Sequence, residues 1–81
     1  MFHSIEKIDI LEEYILEVKF KNGIKKKYDM KKLINSKEEF FLLRNKNIFN
    51  IAKVDIGGLG ISWNDDIDIS SEEIWNNGIQ I

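Results

Sequence analysis

"YILEVKFKNGIKKKYD", Tyr14 to Asp29, is the stretch on which the reading of the chain turns. Tyr14, Leu16, Val18 and Phe20 fall at alternate positions, with Glu17 and Lys19 between them. Side chains of a strand point to opposite faces with a period of two, so this spacing predicts a half-buried strand. Lys21-Asn22-Gly23 follows, and Asn and Gly tolerate the positive φ of a tight turn, so the chain is expected to reverse there. Ile24 to Asp29 returns as the second arm, with Ile24 and Tyr28 inward and Lys25 and Lys27 outward. Lys26 has the inward parity and is expected at the sheet margin, where a lysine discourages edge pairing.

Working outward, Ile5 to Leu11 reads as an earlier strand. Ile5 and Ile8 would point to opposite faces under regular pairing, and a bulge would reconcile them. "MKKLINS" predicts one short helical turn. Ser36 and Glu39 form an S-x-x-E capping box ahead of "FFLL", which places a helix there with Phe40 and Leu43 on its buried face. Asn45 to Asn47 reads as a loop. Ile48 to Ile56 reads as a fourth strand, the most buried one. In "VDIGGLGISW", Val54 to Trp63, the glycines at 57, 58 and 60 predict a reversal into a fifth strand, Leu59 to Trp63. Asn64 to Asp66 breaks that strand, and Ile67 and Ile69 are extended. Ser70 and Glu73 make a second capping box before a short helix around Ile74 and Trp75, closed by Gly78 as its C′ residue. The expectation is one α+β domain over residues 1–81, with a small, mainly antiparallel sheet in the order β-β-β-α-β-β-α.

The length permits one small core, and an apolar share of 43% is enough to fill it. The absence of cysteine removes thiolate chemistry, disulfides and cysteine-ligated zinc, and it fits a reducing, cytoplasmic setting. No apolar run approaches the ~20 residues that span a bilayer, so no membrane partner is expected. The N-terminal segment meets acid early and does not read as a signal peptide. The net charge of −2 conceals a segregated layout: residues 1–18 total −4, residues 19–53 total +8, and residues 54–81 total −6. Such a split suits compensation within the molecule, an oppositely charged partner, or a homodimer.

The motifs that could carry chemistry fall short of their templates. A dinucleotide fingerprint would need a third glycine where Trp63 stands, and a helix where a strand follows. A calcium loop registered on Asn64, Asp66 and Asp68 meets Ile69 at its glycine and Trp75 at its closing glutamate. His3 is the single histidine and falls in an expected frayed end, so no nucleophile–base set can be assembled. No catalytic residue, cofactor or metal is therefore expected.

Two surfaces remain as candidates. The carboxylates of Asp65, Asp66 and Asp68, flanked by Trp63 and Trp75, could meet a basic partner, because tryptophan is enriched at interface hot spots. Lys19, Lys25 and Lys27, in the lysine-rich hairpin from Lys19 to Lys32, could project from one face toward phosphates. No aromatic residues interleave with them to stack on bases, so nucleic acid is the lesser expectation.

"LEVKFKNGIKKKYDMKKLI", then "FFLLRNKNIF", then "VDIGGLGISWNDDIDIS" resembles a family of short bacterial proteins, domain of unknown function twenty-four forty-two. The matching positions are mostly core and turn residues, among them Leu16, Val18, Phe20, Gly23, Tyr28, Gly60, Ile61 and Trp63. The resemblance implies a small α+β fold that stands alone or ahead of a helix-turn-helix, which this chain, ending at Ile81, is not expected to carry. It also implies a second small protein encoded nearby, as in a toxin–antitoxin pair. It carries no catalytic residue onto this chain. The expectation is a non-enzymatic interaction module, antitoxin-like, with a nearby-encoded protein as partner.

Overall fold

A computed structural model describes residues 2–81. Among these residues the strands are β1 (Ile5–Ile10), β2 (Ile15–Phe20), β3 (Lys25–Asp29), β4 (Lys53–Val54), β5 (Gly60–Ser62), β6 (Asp68–Ser70) and β7 (Ile79–Gln80). The helices are α1 (Lys31–Ser36), α2 (Lys46–Phe49) and α3 (Ser71–Asn77), and a 3₁₀ segment runs over Glu38–Arg44. The fold is α+β and every strand pair is antiparallel. The expected single sheet is two: β1-β2-β3-β7 and β4-β5-β6.

The β2–β3 hairpin forms as its alternation predicts. Leu16, Val18 and Phe20 are fully buried, and Glu17 and Lys19 stand opposite Lys27 and Lys25 on the other face. Gly23 takes φ +92° in the turn, and Asn22 Oδ1 accepts the Ile24 N–H at 2.9 Å. A register shift between Ile5 and Lys7 sets Ile5 opposite Phe20 and Ile8 opposite Val18. Both isoleucines thereby face inward, which is the bulge their spacing demanded.

Tyr14 lies outside the strand to which its parity assigned it. Glu13 and Tyr14 form a left-handed turn at φ +60° and +62°, which costs side-chain-bearing residues roughly 1–2 kcal/mol each. Neighbours hold that turn in place. The Tyr14 hydroxyl donates to the Arg44 carbonyl, its ring meets Phe49 edge-on at 5.1 Å, and its carbonyl accepts from Met30 N–H at 2.9 Å.

The span from Ile48 to Ile56 corrects the sequence reading most. It opens with the end of α2, not with a strand. Asn45 caps that helix, its Oδ1 accepting the Asn47 N–H at 2.9 Å, and the extended part shrinks to Lys53–Val54. A short apolar run carries no periodicity that separates strand from helix, so the cap decides. The first capping box is also absent. Ser36 ends α1 and its hydroxyl donates back to the Lys32 carbonyl, while extended Lys37 separates it from Glu38–Arg44. Phe40 and Leu43 are nonetheless buried. Lys26 is not at an edge either, since β7 pairs beyond it.

The core fills the space between the inner face of the four-stranded sheet and everything packed on it. Ile5, Leu16, Val18 and Phe20 meet Ile34, Leu43 and Phe49 from the helical segments, and Ile61, Ile69 and Ile74 from the second sheet and α3. Burying each such side chain contributes about 1.5–3 kcal/mol, which is what holds short elements that would not persist alone.

Candidate functional site

α3 begins as its sequence signal requires. Ser70 Oγ accepts the Glu73 N–H at 3.1 Å, but Glu73 does not close the box. Its Oε2 accepts from the Tyr28 hydroxyl at 2.9 Å and from Asn77 Nδ2 at 2.8 Å. Burial, and then the Glu73 carboxylate, push the Tyr28 hydroxyl well above the ordinary tyrosine range. Gly78 ends the helix at φ −76°, not in the left-handed region expected of a C′ glycine. It is glycine for lack of room: a Cβ there would fall 2.5 Å from the Ile74 carbonyl oxygen and 3.2 Å from Lys26 Cβ.

Trp75, on the same helix, is half-buried at the centre of a cluster. Phe20 meets its ring edge-on at 5.0 Å, His3 stacks on it at 3.8 Å and 7°, and Lys26 Nζ lies 4.2 Å from its centroid. Lys26 Nζ also donates to the Trp75 carbonyl near the helix C-terminus, where a cation is favoured. His3, far from frayed, donates its backbone N–H to Glu72 Oε2 at 2.7 Å, and its Nδ1 lies 3.1 and 3.2 Å from the two carboxylate oxygens. The His3 peptide N–H, and then its ring, hold the Glu72 carboxyl below the usual glutamate range.

The acidic group is divided by the fold. Asp65, Asp66 and Asp68 are exposed around a turn in which Asn64 Oδ1 accepts the N–H groups of Asp66 and Ile67 at 2.8 and 2.9 Å. Trp63 does not join them at the surface. It is 4% exposed and its Nε1–H donates to the Phe49 carbonyl at 2.9 Å, so it belongs to the core and not to a partner surface. Among the described residues no group of three or more acids and histidines could hold a metal ion.

Lys19, Lys25 and Lys27 do share the outer face of the four-stranded sheet. Lys7, Lys19 and Lys25 stand in one cross-strand row, and Asp9, Glu17 and Lys27 in the next. Lys19 Nζ is 3.2 Å from Glu6, so the row is not purely basic in effect.

The glycine stretch is a turn, and it has a consequence at the surface. Gly57 and Gly58 take φ +76° and +72°, and a Cβ on Gly58 would fall 2.4 Å from the Ile5 carbonyl oxygen. The close approach presses the turn against β1 and leaves its apolar side chains outward: Ile56 is 96% exposed and Leu59 57%. Nothing in the glycine spacing announces this, although the position of Ile56 beside a tight turn is the signal that could have found it.

A groove of about 520 Å³ opens between β3, α1, α3 and the start of β7, with Tyr28 and Glu73 in its wall and Lys27 and Lys32 beside them. A smaller hollow of about 220 Å³ lies beside the Glu13–Tyr14 turn.

Neither the curated proteins nor the solved structures give a match to this chain. One family model matches, described as "Protein of unknown function (DUF2442)", over residues 5–80. That span runs from the first residue of β1 to the last of β7, so it takes in both sheets, α3 and Phe20, Lys26 and Trp75 of the aromatic cluster, with His3 just outside it. The chain belongs to this DUF2442 family.

Proposed function

We propose that this chain is a non-enzymatic protein-interaction module of the cytoplasm, the antitoxin-like half of a two-gene pair, whose partner is another small protein encoded nearby. The observation that carries the reading is the pair of aliphatic side chains, Ile56 and Leu59, held outward on a turn whose backbone packs tightly on β1. A fixed apolar tip loses little conformational freedom on binding and can occupy the dry centre of an interface. The exposed Asp65, Asp66 and Asp68 add charge suited to a basic partner. Co-expression of the chain with the adjacent gene product, followed by affinity capture, tests the reading. Wild type should retain the partner, and Ile56→Glu with Leu59→Glu should lose it. Absence of a complex at about micromolar concentrations removes the idea.

A second reading, nucleic-acid binding, is favoured by one observation: Lys7, Lys19 and Lys25 stand side by side across three strands, with Lys27 close by. Binding through that row must weaken as salt rises and must fall in Lys25→Glu with Lys27→Glu. Equal binding by that double variant sinks it.

A further inference from the structure

The four-stranded sheet is incomplete along β3. Backbone hydrogen bonds from Met30 to Tyr14 and from Phe20 to Ile24 show that the even-numbered residues of this arm face β2. The bond from Ile81 N–H to the Lys25 carbonyl shows that the odd-numbered ones face β7. β7 stands opposite Lys26 and Lys27 and no further, because at Gly78 the chain turns away into α3. Asp29 is the next odd residue. Its peptide N–H and carbonyl therefore face the side of β7, and no residue of β7 stands opposite them. The 520 Å³ groove lies at this gap.

The walls of the groove are chemically specific. Ile79, 75% exposed, and the partly buried Leu33 supply apolar surface. Lys27 and Lys32 make no ion pair among the described residues, whereas Asp29 is neutralised by Lys31 Nζ at 3.1 Å. Oε2 of Glu73 is occupied by Tyr28 and Asn77. An exposed strand edge is a template for another strand, main-chain bonds supplying affinity and alternate side chains specificity.

We infer that the open end of β3 binds an extended peptide segment of a partner protein, added as a strand beside Tyr28 and Asp29, with a carboxylate of that segment placed against Lys27 and Lys32. The inference rests on the protein-interaction reading above and names the chemistry of the segment bound.

The test uses the full chain, labelled with ¹⁵N, and capped hexapeptides that alternate glutamate with threonine, valine or phenylalanine. Matched peptides carry lysine for glutamate, and a third set is N-methylated at the central peptide nitrogens. The glutamate peptides should shift the amide signals of Asp29 and Ile79 saturably, and the lysine and N-methyl sets should not. Lys27→Glu with Lys32→Glu should weaken binding about tenfold or more. The proposal is overturned if no glutamate peptide shifts these signals at about 1 mM, if the lysine set binds equally, or if the shifts map elsewhere. Affinity capture separates the two readings. If wild type captures the partner but no peptide binds at Asp29, the groove falls and the interaction reading stands. If the glutamate peptides bind at Asp29 but the adjacent gene product is not captured, the nearby-encoded partner falls and strand addition at the groove stands.

Discussion

Trp63 Nε1 donates to the main-chain carbonyl of Phe49 at 2.9 Å, with both residues buried and their rings 5.9 Å apart. That bond ties the end of α2 to the residue that follows β5. It converts a tryptophan that reads as a surface candidate into the peg between two layers. Trp63→Phe should remove the shorter of two hydrogen bonds to the Phe49 carbonyl, which Ala52 N–H also reaches at 3.3 Å, at a cost of about 0.5–1.5 kcal/mol. Urea unfolding followed by circular dichroism measures it, and a midpoint equal to wild type would mean the bond contributes nothing.

Gly58 and Gly23 both adopt left-handed backbone, but they differ in surroundings. A Cβ on Gly23 meets nothing within 4 Å, whereas on Gly58 it would strike the Ile5 backbone at 2.4 Å. Gly23→Ala should cost about 1–2 kcal/mol through φ alone. Gly58→Ala should cost clearly more, since the turn must also move off β1. Parallel denaturation curves rank the two, and the reverse order would refute the packing argument.

The Ser71 hydroxyl is fully buried and has no hydrogen-bond partner among the described residues. Removing an unpaired buried polar group removes its desolvation cost, so Ser71→Ala should match or exceed wild-type stability by up to about 1 kcal/mol. A thermal midpoint several degrees lower would reveal a partner that the hydroxyl does have.

Glu72 titrates below its ordinary 4.5 because His3 donates to it. A carboxyl with a depressed folded pKa adds stability above its unfolded pKa and loses it as pH falls through the folded value. The advantage of wild type over Glu72→Gln should therefore be complete near neutrality and fade as pH drops below about 4.5. Carbon-detected NMR titration of the Glu72 carboxyl should give a midpoint below 4.5, and a midpoint above it would contradict the contact with His3.

Tyr28 shifts the other way. Its hydroxyl is held protonated by burial and by Glu73, above the ordinary 10.0. Because the folded value is raised, its contribution is fully present below pH 10 and is lost as pH climbs from there toward the folded pKa. Absorbance at alkaline pH should show one tyrosinate appearing only as the protein unfolds, and Glu73→Gln should bring that transition to lower pH.

The β2–β3 hairpin, the bulge in β1, the reversal at Gly57–Gly58 and the Ser70 cap of α3 were all legible in the amino-acid order. Each depends on a local rule: period-two alternation, positive φ at Gly, or a hydroxyl three residues ahead of an N–H it can reach. Ile48–Ile56 was misread because apolar content alone says that a segment is buried, not which backbone it adopts. The split into two sheets, the pairing of Ile79 and Gln80 with β3, and the anchoring of His3 on Trp75 and Glu72 required the tertiary structure. These contacts join residues tens of positions apart, and nothing in a local window encodes which distant segment will lie alongside. For the same reason the charge segregation was plain in the sequence, while the open end of β3 was not. The first is a property of composition along the chain; the second exists only because α3 leaves β7 two residues in which to pair.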